Sequence, residues 1–242
     1  MILTGPAIAA LVGQTKAAKA AGLFDPTKLA FKVSCDVEPF DPARVGPNSY
    51  DVRLAPAVKV YDKCKVLHDW YAERGWPTPY MDHAPRSGCA TPADRLTFWR
   101  PLQPLRMDVE EPATEIPVPE AGLTLYPGVP YLMRTAEWVE AYGLRPDIDG
   151  RSSCGRLFVC VHQTAGRGDD GFRGRFTCEV TVAWPILLMP HDVPLAQVSF
   201  TTLSGAQAPY GEGRKYQAQD DIRVSGLFKD FERLRAQKGG DS

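Results

Sequence analysis

Twenty-two prolines and 21 glycines punctuate this 242-residue chain from end to end, and the apolar runs between them are short. Proline removes a backbone donor and glycine weakens element interiors, so long regular elements are hard to run through such spacing. Frequent breakers between short apolar runs favour β-structure with many turns. They are spread along the chain rather than clustered, and hydrophobic residues make up 44%, so disorder is not the natural reading. The length suits one large domain or two small ones, and a chain this long buries a core without a disulfide or metal staple. Lys and Arg total 28 against 29 Asp and Glu, which argues against a strongly basic nucleic-acid binder; no stable nucleic-acid partner is expected. No run approaches the roughly 18 apolar residues of a membrane span, so no membrane partner is expected either. The opening MILTGPAIAALVGQTK lacks a basic stretch before its apolar residues. It does not read as a signal peptide, and a cytoplasmic location is expected.

Residues 4–21 read as a helix, with Thr4 as N-cap, Pro6 in the first turn, Ile8, Leu11 and Val12 at helical spacing, and Gly22 to end it. Residues 49–61 read as strand, turn and strand. Residues 62–120 are the least regular part, with Trp70, Trp76 and Trp99 among many prolines; loops, short helices and isolated strands are expected, the tryptophans packing beneath them. LTLYPGVPYLMRT (123–135) gives two strands around a Pro-Gly turn. LFVCV (157–161) is a continuous apolar run, as a strand buried on both faces requires. FTCEVTV (176–182) alternates strictly, with Phe176, Cys178, Val180 and Val182 on one face and Thr177, Glu179 and Thr181 on the other. PILLMP (185–190) and LAQVSF (195–200) complete the strands. GLFKDFERLRAQK reads as a short amphipathic helix carrying Phe228, Phe231 and Leu234. The sum is an all-β core with a helix near each end. Six cysteines at irregular spacing, none in a CxxC pair, are expected to be reduced, with Cys160 and Cys178 acting as small core residues.

Common catalytic signatures are absent: no GxxxxGK[ST], GxSxG or HExxH, and no HxE followed by PCxxC as in the zinc nucleobase deaminases. His68, His83, His162 and His191 are scattered. Any water activation then falls to a side-chain base. Three segments stand out. In Gly150-Arg151-Ser152-Ser153-Cys154-Gly155-Arg156, two arginines and two hydroxyls lie between glycines, a geometry that suits phosphate; the segment reads equally as a turn whose arginines pair with acidic neighbours. The glycine-rich stretch from His162 through Gly166, Arg167, Gly168, Asp169 and Asp170 to Gly174 reads as a tight hairpin leading to Glu179. A Glu on a polar strand face is usually only solvated, and becomes a candidate base if that face lines a pocket. In Tyr210-Gly211-Glu212-Gly213-Arg214-Lys215-Tyr216-Gln217-Ala218-Gln219, aromatic, basic and amide groups alternate with glycines, which suits either a flap over a charged ligand or a solvated tail.

Taken in order, GRSSCGRLFVCVHQTAG, GDDGFRG, TCE, LAQVSF and PYGEGRKYQAQ resemble the dCTP deaminase family of the dCTP deaminase/dUTPase superfamily, and MILTGPAI and VGPNSYDVRL resemble its opening helix and first strand. The likeness covers roughly residues 1–61 and 123–225. It implies one dUTPase-like domain over 1–242: a distorted, jelly-roll-like β-barrel with short flanking helices, an enlarged insertion at about 62–122 and a C-terminal flap and tail at about 205–242. It further implies a homotrimer with active sites between subunits, magnesium accompanying the nucleotide triphosphate, and no zinc. By position it implies that Glu179, Ser152 and Arg156 are catalytic. Arg151 and Ser153 fall in the phosphate segment, Asp169 meets the sugar, Thr177 and Cys178 meet the base, and Gln197, Tyr210, Lys215 and Gln219 contact the nucleotide.

The activity so implied is hydrolytic deamination of dCTP to dUTP and ammonia. A carboxylate whose pKa is raised by partial burial can relay the protons, with Ser152 holding the water or amine and Arg156 holding Glu179 or the water. Some members of the family go on to dUMP and pyrophosphate. Gly166 resembles that bifunctional type, whereas Arg167 stands where that type carries an aromatic. An arginine there can pair with Asp169 or Asp170 and hold the hairpin still, which favours dUTP as the product. The competing readings are the bifunctional enzyme, a dUTPase-like pyrophosphatase and a non-catalytic nucleotide-binding regulator; a modified cytosine nucleotide is also open as substrate.

Overall fold

The computed structural model describes residues 1–28, 32–75, 103–190, 192–204, 209–211 and 213–239. Trp76, Trp99, His83, His191 and Glu212, named above, lie outside them. The fold is mostly β with few helices. Helix α1 (Gly5–Ala20) comes first, followed by β1 (Ser34–Glu38), a 3-10 turn at Pro42–Arg44, β2 (Tyr50–Val52) and β3 (Ala57–Tyr61). Helix α2 (Asp62–Arg74) leads to β4 (Ala113–Pro117), β5 (Leu123–Leu125), β6 (Tyr131–Arg134), β7 (Trp138–Tyr142) and β8 (Leu144–Gly150). The short helix α3 (Ser152–Arg156) precedes β9 (Val159–Cys160), β10 (Arg173–Gly174), β11 (Thr177–Val182), β12 (Ile186–Leu188) and β13 (Ala196–Thr202), and helix α4 (Phe228–Gly239) ends the described chain.

The strands form four sheets in the orders β1-β7-β10, β4-β3-β6-β11-β9, β12-β5 and β2-β13-β8. The ladders are antiparallel. The barrel expectation is thus met only as antiparallel layers: among the described residues no sheet closes on itself. No described helix is long and apolar enough to cross a membrane.

β13 runs between β2 and β8 and buries Ala196, Val198 and Phe200 completely. Leu144 and Ile148 of β8, Tyr50 and Val52 of β2, and Ile8 and Val12 of α1 join the same core. Helix α1 is held to the β1–β7 pair by charge as well. Lys19 Nζ lies 2.8 Å from both Asp36 and Glu140, and Lys16 pairs with Asp36 and Glu38. As the strict alternation requires, Cys178, Val180 and Val182 of β11 are buried, while Thr177, Glu179 and Thr181 are half-exposed.

Several expectations need correction. The run 157–161 is not a doubly buried strand: only Val159–Cys160 is strand, Leu157 and Phe158 are 61% and 70% exposed, and Cys160 is exposed. The one-turn helix α3 ends at Arg156, and Phe158 takes φ 57°, so the chain reverses inside the apolar run instead of extending through it. The segment 162–174 is not a tight hairpin but a broad excursion between β9 and β11 that lies along β8, with Ile148 N donating to Gly166 O (2.7 Å) and Gly168 N to Pro146 O (2.7 Å). The two strands expected around Pro127-Gly128 are present as β5 and β6, and each pairs elsewhere, β5 with β12 and β6 with β11 and β3. On α4, Phe228 and Phe231 are half-buried but Leu234 is exposed.

The irregular middle begins with a longer helix than expected. β3 and β4 pair in full, Tyr61 opposite Ala113, so the described residues 62–75 leave, and 103–112 return to, one antiparallel strand pair. Helix α2 is docked by an internal polar group. His68 is buried edge-on to Tyr126 and Tyr131, with Nδ1 3.0 Å from the Tyr131 hydroxyl. That hydroxyl already accepts from Tyr126 N (2.9 Å), so its hydrogen is free for Nδ1 and the imidazole is the acceptor. Burial lowers the His68 pKa. A lowered folded pKa gives stability that is present above the unfolded value near 6.5 and lost as pH falls below it. The thermal midpoint should therefore drop more between pH 8 and pH 5.5 in the native protein than in His68→Gln, and equal drops would show that His68 does not carry this dependence.

Candidate active site

Sheet β2-β13-β8 ends where Gly150 turns into α3. Arg151 N donates to Leu195 O (3.1 Å), and Cys154 is buried with its thiol on the same carbonyl at 3.3 Å. These two anchors press the inner side of α3 against the sheet and leave Ser152, Ser153 and Arg156 exposed. Among the described residues none of these three side chains makes a hydrogen bond or ion pair. Arg151 is different. Its guanidinium reaches Asp51 (3.1 Å) and Pro194 O (3.1 Å), as the reading of an arginine paired with an acidic neighbour requires. Burial raises the Asp51 pKa, against the pull of Arg151 and Arg44. Gln197 lies opposite Asp51 and Asp149 in the ladders, accepts from Ser49 Oγ (3.1 Å) and points its amide at Gly150 O (3.4 Å). Arg151 and Gln197 thus converge at the root of the serine segment.

Glu179 stands on the polar face of β11 between Thr177 and Thr181. Its Oε2 lies 2.8 Å from Nδ1 of His162, whose ring is almost fully buried. The approach is close but not aligned as a hydrogen bond, so Glu179 Oε2 and both His162 ring nitrogens are buried without a hydrogen-bond partner. A buried carboxylate oxygen held close to an imidazole without an aligned hydrogen bond keeps its accepting capacity in hand. Gln163 Nε2 donates to Thr181 Oγ1 (2.6 Å) beside it. Gly166 presses on the same pair: a Cβ there would come within 2.5 Å of Ile148 O and 2.9 Å of the His162 ring. The glycine is required for close approach and not for a left-handed backbone, since its φ is not positive. Neither sequence spacing nor a motif pointed to His162. Residues 162 and 179 meet only because β9 folds back on β11, and nothing local encodes that.

The remaining positions divide in the same way. Thr177 Oγ1 accepts from Arg223 N (3.2 Å), and Arg134 lies opposite Thr177 in the ladder. Cys178 is wholly buried and burial pushes its thiol pKa up, so its side chain packs in the core on the strand that carries Glu179. Asp169 is exposed at its turn. Arg167 is exposed and pairs with neither Asp169 nor Asp170, whose Oδ1 instead accepts from Gly143 N (2.6 Å). The flap lies against the start of β10. Tyr210 N donates to Asp170 O (2.5 Å) and its hydroxyl accepts from Tyr216 N (3.1 Å). Lys215 pairs with Asp230 of α4. Gln219 is buried and donates to Arg175 O. Gln217, not singled out among the expected site residues, holds the flap most firmly. Its amide donates to Gly171 O and Tyr210 O (both 2.8 Å) and its Oε1 accepts from Arg173 N (3.0 Å). Among the described residues no group of three or more His, Cys, Asp or Glu side chains is placed to hold a metal ion.

The model of the family described as dCTP deaminase-like matches residues 94–203. A dUMP-forming dCTP deaminase of Leptospira biflexa is 34% identical over 197 residues, covering 81% of this chain and 90% of that protein. The chain belongs to the dCTP deaminase family. A dUMP-forming dCTP deaminase of Cytophaga hutchinsonii is also 34% identical, over 199 residues, with the same coverage of each chain. The crystal structure of 2′-deoxycytidine 5′-triphosphate deaminase from Agrobacterium tumefaciens aligns at 19% identity with a TM-score of 0.43, over 82% of this chain; the chain spans about half of that one, 47%. Within this deaminase-family chain, the flap's rigidity is assigned to Gln217. Gln217→Ala leaves three backbone partners unpaired, and each lost bond to a buried group is worth about 1–3 kcal/mol. Amide exchange at Arg173 and across 209–219 should rise by at least tenfold; unchanged exchange would place the restraint elsewhere.

Proposed function

We propose that this protein deaminates dCTP hydrolytically, and that Glu179 moves the protons. The observation that carries this reading is the buried, unsatisfied Glu179 Oε2 on a polar strand face against His162. Family membership supports it, as do the matched relatives, which are named as dCTP deaminases. Attack at C4 of cytosine needs a water that loses a proton, an N3 that gains one, and an amine that leaves as ammonia. A carboxylate next to the ring takes one proton from water and gives it to N3, where it stays; it then takes the hydroxyl proton of the C4 adduct and gives it to the amine, which leaves as ammonia, so dCTP and water give dUTP and ammonia. His162, close to Glu179 and otherwise unpaired, orients the carboxylate. Thr177 and Thr181 keep that strand face polar enough for a base edge.

Ser152, Ser153 and Arg156 are uncommitted and exposed, as residues awaiting a ligand or a neighbouring subunit would be. The exposed Leu157 and Phe158 follow them directly, and the exposed Trp184 is close in the chain to Ala183, whose N–H donates to Phe158 O (3.1 Å). This apolar patch beside the serine segment supports a homotrimer with the sites completed between subunits. In that assembly Arg156 and Ser152 face Glu179 and the water. Asp169 meets the sugar, Gln197 and the Arg151 backbone frame the phosphate segment, and Tyr210, Lys215 and Gln219 form the flap. The substrate is the magnesium complex of the triphosphate, so the metal enters with the nucleotide. Chemistry free of zinc is expected from the missing HxE and PCxxC pattern.

A second reading has a specific observation behind it. The pairing of Arg167 with Asp169 or Asp170, which would hold the 162–174 excursion in one arrangement and favour dUTP, is not formed. Both relatives compared above are named dUMP-forming. Onward hydrolysis to dUMP and pyrophosphate is the alternative that this favours.

Incubation with magnesium and dCTP or dUTP, followed by chromatography and an ammonia assay, tests the reading. Ammonia from dCTP is expected; pyrophosphate from dUTP with no ammonia from dCTP would mean a pyrophosphatase, and no turnover of either a binding protein. Glu179→Gln keeps size but cannot relay protons. It should lower ammonia release about 10²–10⁴-fold while dCTP still binds, and near-normal release would remove Glu179 from the chemistry. Arg167→Phe should raise the share of dUMP without abolishing deamination. A native protein that already yields only dUMP establishes the second reading.

A further inference from the structure

The flap cation Lys215 is already occupied by an anion of its own chain. Its ammonium pairs with the Asp230 carboxylate, in the first turn of α4. The contact is built and not incidental. Gly226 N donates to the Tyr216 hydroxyl (2.9 Å), and a Cβ on Gly226 would touch the Lys215 side chain at 3.4 Å, so the chain entering α4 packs directly on the flap. Tyr216 N in turn donates to Tyr210 Oη (3.1 Å). At its other end α4 is anchored to the returning limb of the 62–112 excursion. Arg235 binds Asp108 through Oδ2 (2.5 Å) and its carbonyl (3.5 Å), while Arg106 holds the same carboxylate at 2.9 Å. The upstream strap is fixed independently, Lys59 Nζ binding Ile222 O (3.0 Å) and Ser225 N binding Tyr61 Oη (3.0 Å). Asp230 also lies 3.7 Å from Arg233 of its own helix, and its pair with Lys215 is the contact that joins the flap cation to α4.

We propose that Asp230 is a positioning residue that acts as an internal stand-in for a nucleotide phosphate. It holds Lys215 and the flap in register with α4 until a triphosphate displaces it. This rests on the deaminase reading above, in which Lys215 meets phosphate. A multiply charged phosphate outcompetes a single carboxylate for the ammonium, so binding releases Asp230 and loosens α4 while the flap closes. Affinity for triphosphate is then reduced by the fraction of molecules in which Lys215 is held by Asp230.

The test uses the full chain. Asp230→Asn should lower KM for dCTP about two- to fivefold, the equivalent of an exposed ion pair, with kcat unchanged. Asp230→Glu should restore the native KM, and the affinity for deoxycytidine, which lacks phosphate, should not move. Amide exchange in 228–239 should be raised without nucleotide both in Asp230→Asn and in Lys215→Ala, although Lys215→Ala weakens dCTP binding. Magnesium tripolyphosphate should raise the same exchange in the native protein and leave it unchanged in Asp230→Asn. A KM for dCTP that is unchanged or higher in Asp230→Asn, or exchange in 228–239 that ignores both the substitution and tripolyphosphate, overturns the proposal. Failure of the native protein to release ammonia from dCTP removes the deaminase reading instead, and the tripolyphosphate exchange still decides the latch.

Discussion

Glu137 is a carboxylate with no exposed surface, and two arginines meet it. Arg44 Nη1 lies at 2.9 Å and Arg53 Nε at 2.8 Å, and Arg53 N donates to its other oxygen at 2.9 Å. Arg53 belongs to the link between β2 and β3, Arg44 to the 3-10 turn before β2, and Glu137 to the corner between β6 and β7. One buried charge therefore ties the corner between β6 and β7 to both flanks of β2, more than 80 residues earlier in the chain. Removing one partner of such a pair leaves an uncompensated buried charge, which costs about 3–5 kcal/mol, whereas the intact pair need not add much net stability. What it supplies is register. Thr135 Oγ1 donates to Glu137 O (2.8 Å) and accepts from Phe176 N (3.0 Å), while Thr135 N donates to Phe176 O (2.9 Å). Phe176 immediately precedes β11, so the Glu137 corner fixes which residues of β11 face inward. A slip of one residue would put Cys178 on the polar face and Glu179 in the core.

The polar face of β11 is roofed by the chain's own C-terminal strap. Residues 219–226 cross it through Gln219 on the β10 backbone, Arg223 N on Thr177 and Ser225 N on Tyr61, with Ile222 buried beneath. Sheet, strap, flap and α4 thus share a continuous set of contacts. The link runs from Thr177, two residues from Glu179, to Lys215 and Asp230. The 62–112 excursion enters the same set by gripping α4 at Asp108, where Arg106 and then Arg235 hold the carboxyl down to about 2.

Much of the framework was legible because it is written in local periodicity. The strict alternation of 176–182 has only one amphipathic strand solution, and the N-terminal helix carries its own proline, cap residue and terminating glycine. The apolar run at 157–161 was misleading because hydrophobicity reports burial and not where a chain turns. The reversal is imposed by α3, which ends at Arg156. Pairings across the sequence, such as β5 with β12, leave no local mark. Glu179 could be named from its family motif, but His162 could not be read as its neighbour. The Gly166 requirement was likewise visible as a glycine and invisible as a steric fit against His162.

The expected site residues fall into two physical classes. Arg151, Gln197, Cys178 and Gln219 already have their bonding or burial satisfied inside the chain, by Asp51, Ser49, the core and Arg175 respectively. Groups so committed hold geometry, and reaching for a ligand would cost the contacts they have. Ser152, Ser153, Arg156 and Asp169 are exposed and uncommitted, and the half-exposed Glu179 has its Oε2 buried against His162 without a hydrogen bond. Chemistry needs groups of this second class, because only they gain bonding when a substrate arrives. Lys215 lies between the classes, satisfied by an anion whose place a phosphate can take. Part of the division follows from the backbone: Arg151, Gln197 and Cys178 sit on strands or at their ends, where neighbouring chain is within reach. The uncommitted ones sit on α3 and on the excursion after β9, where one side of the chain faces outward.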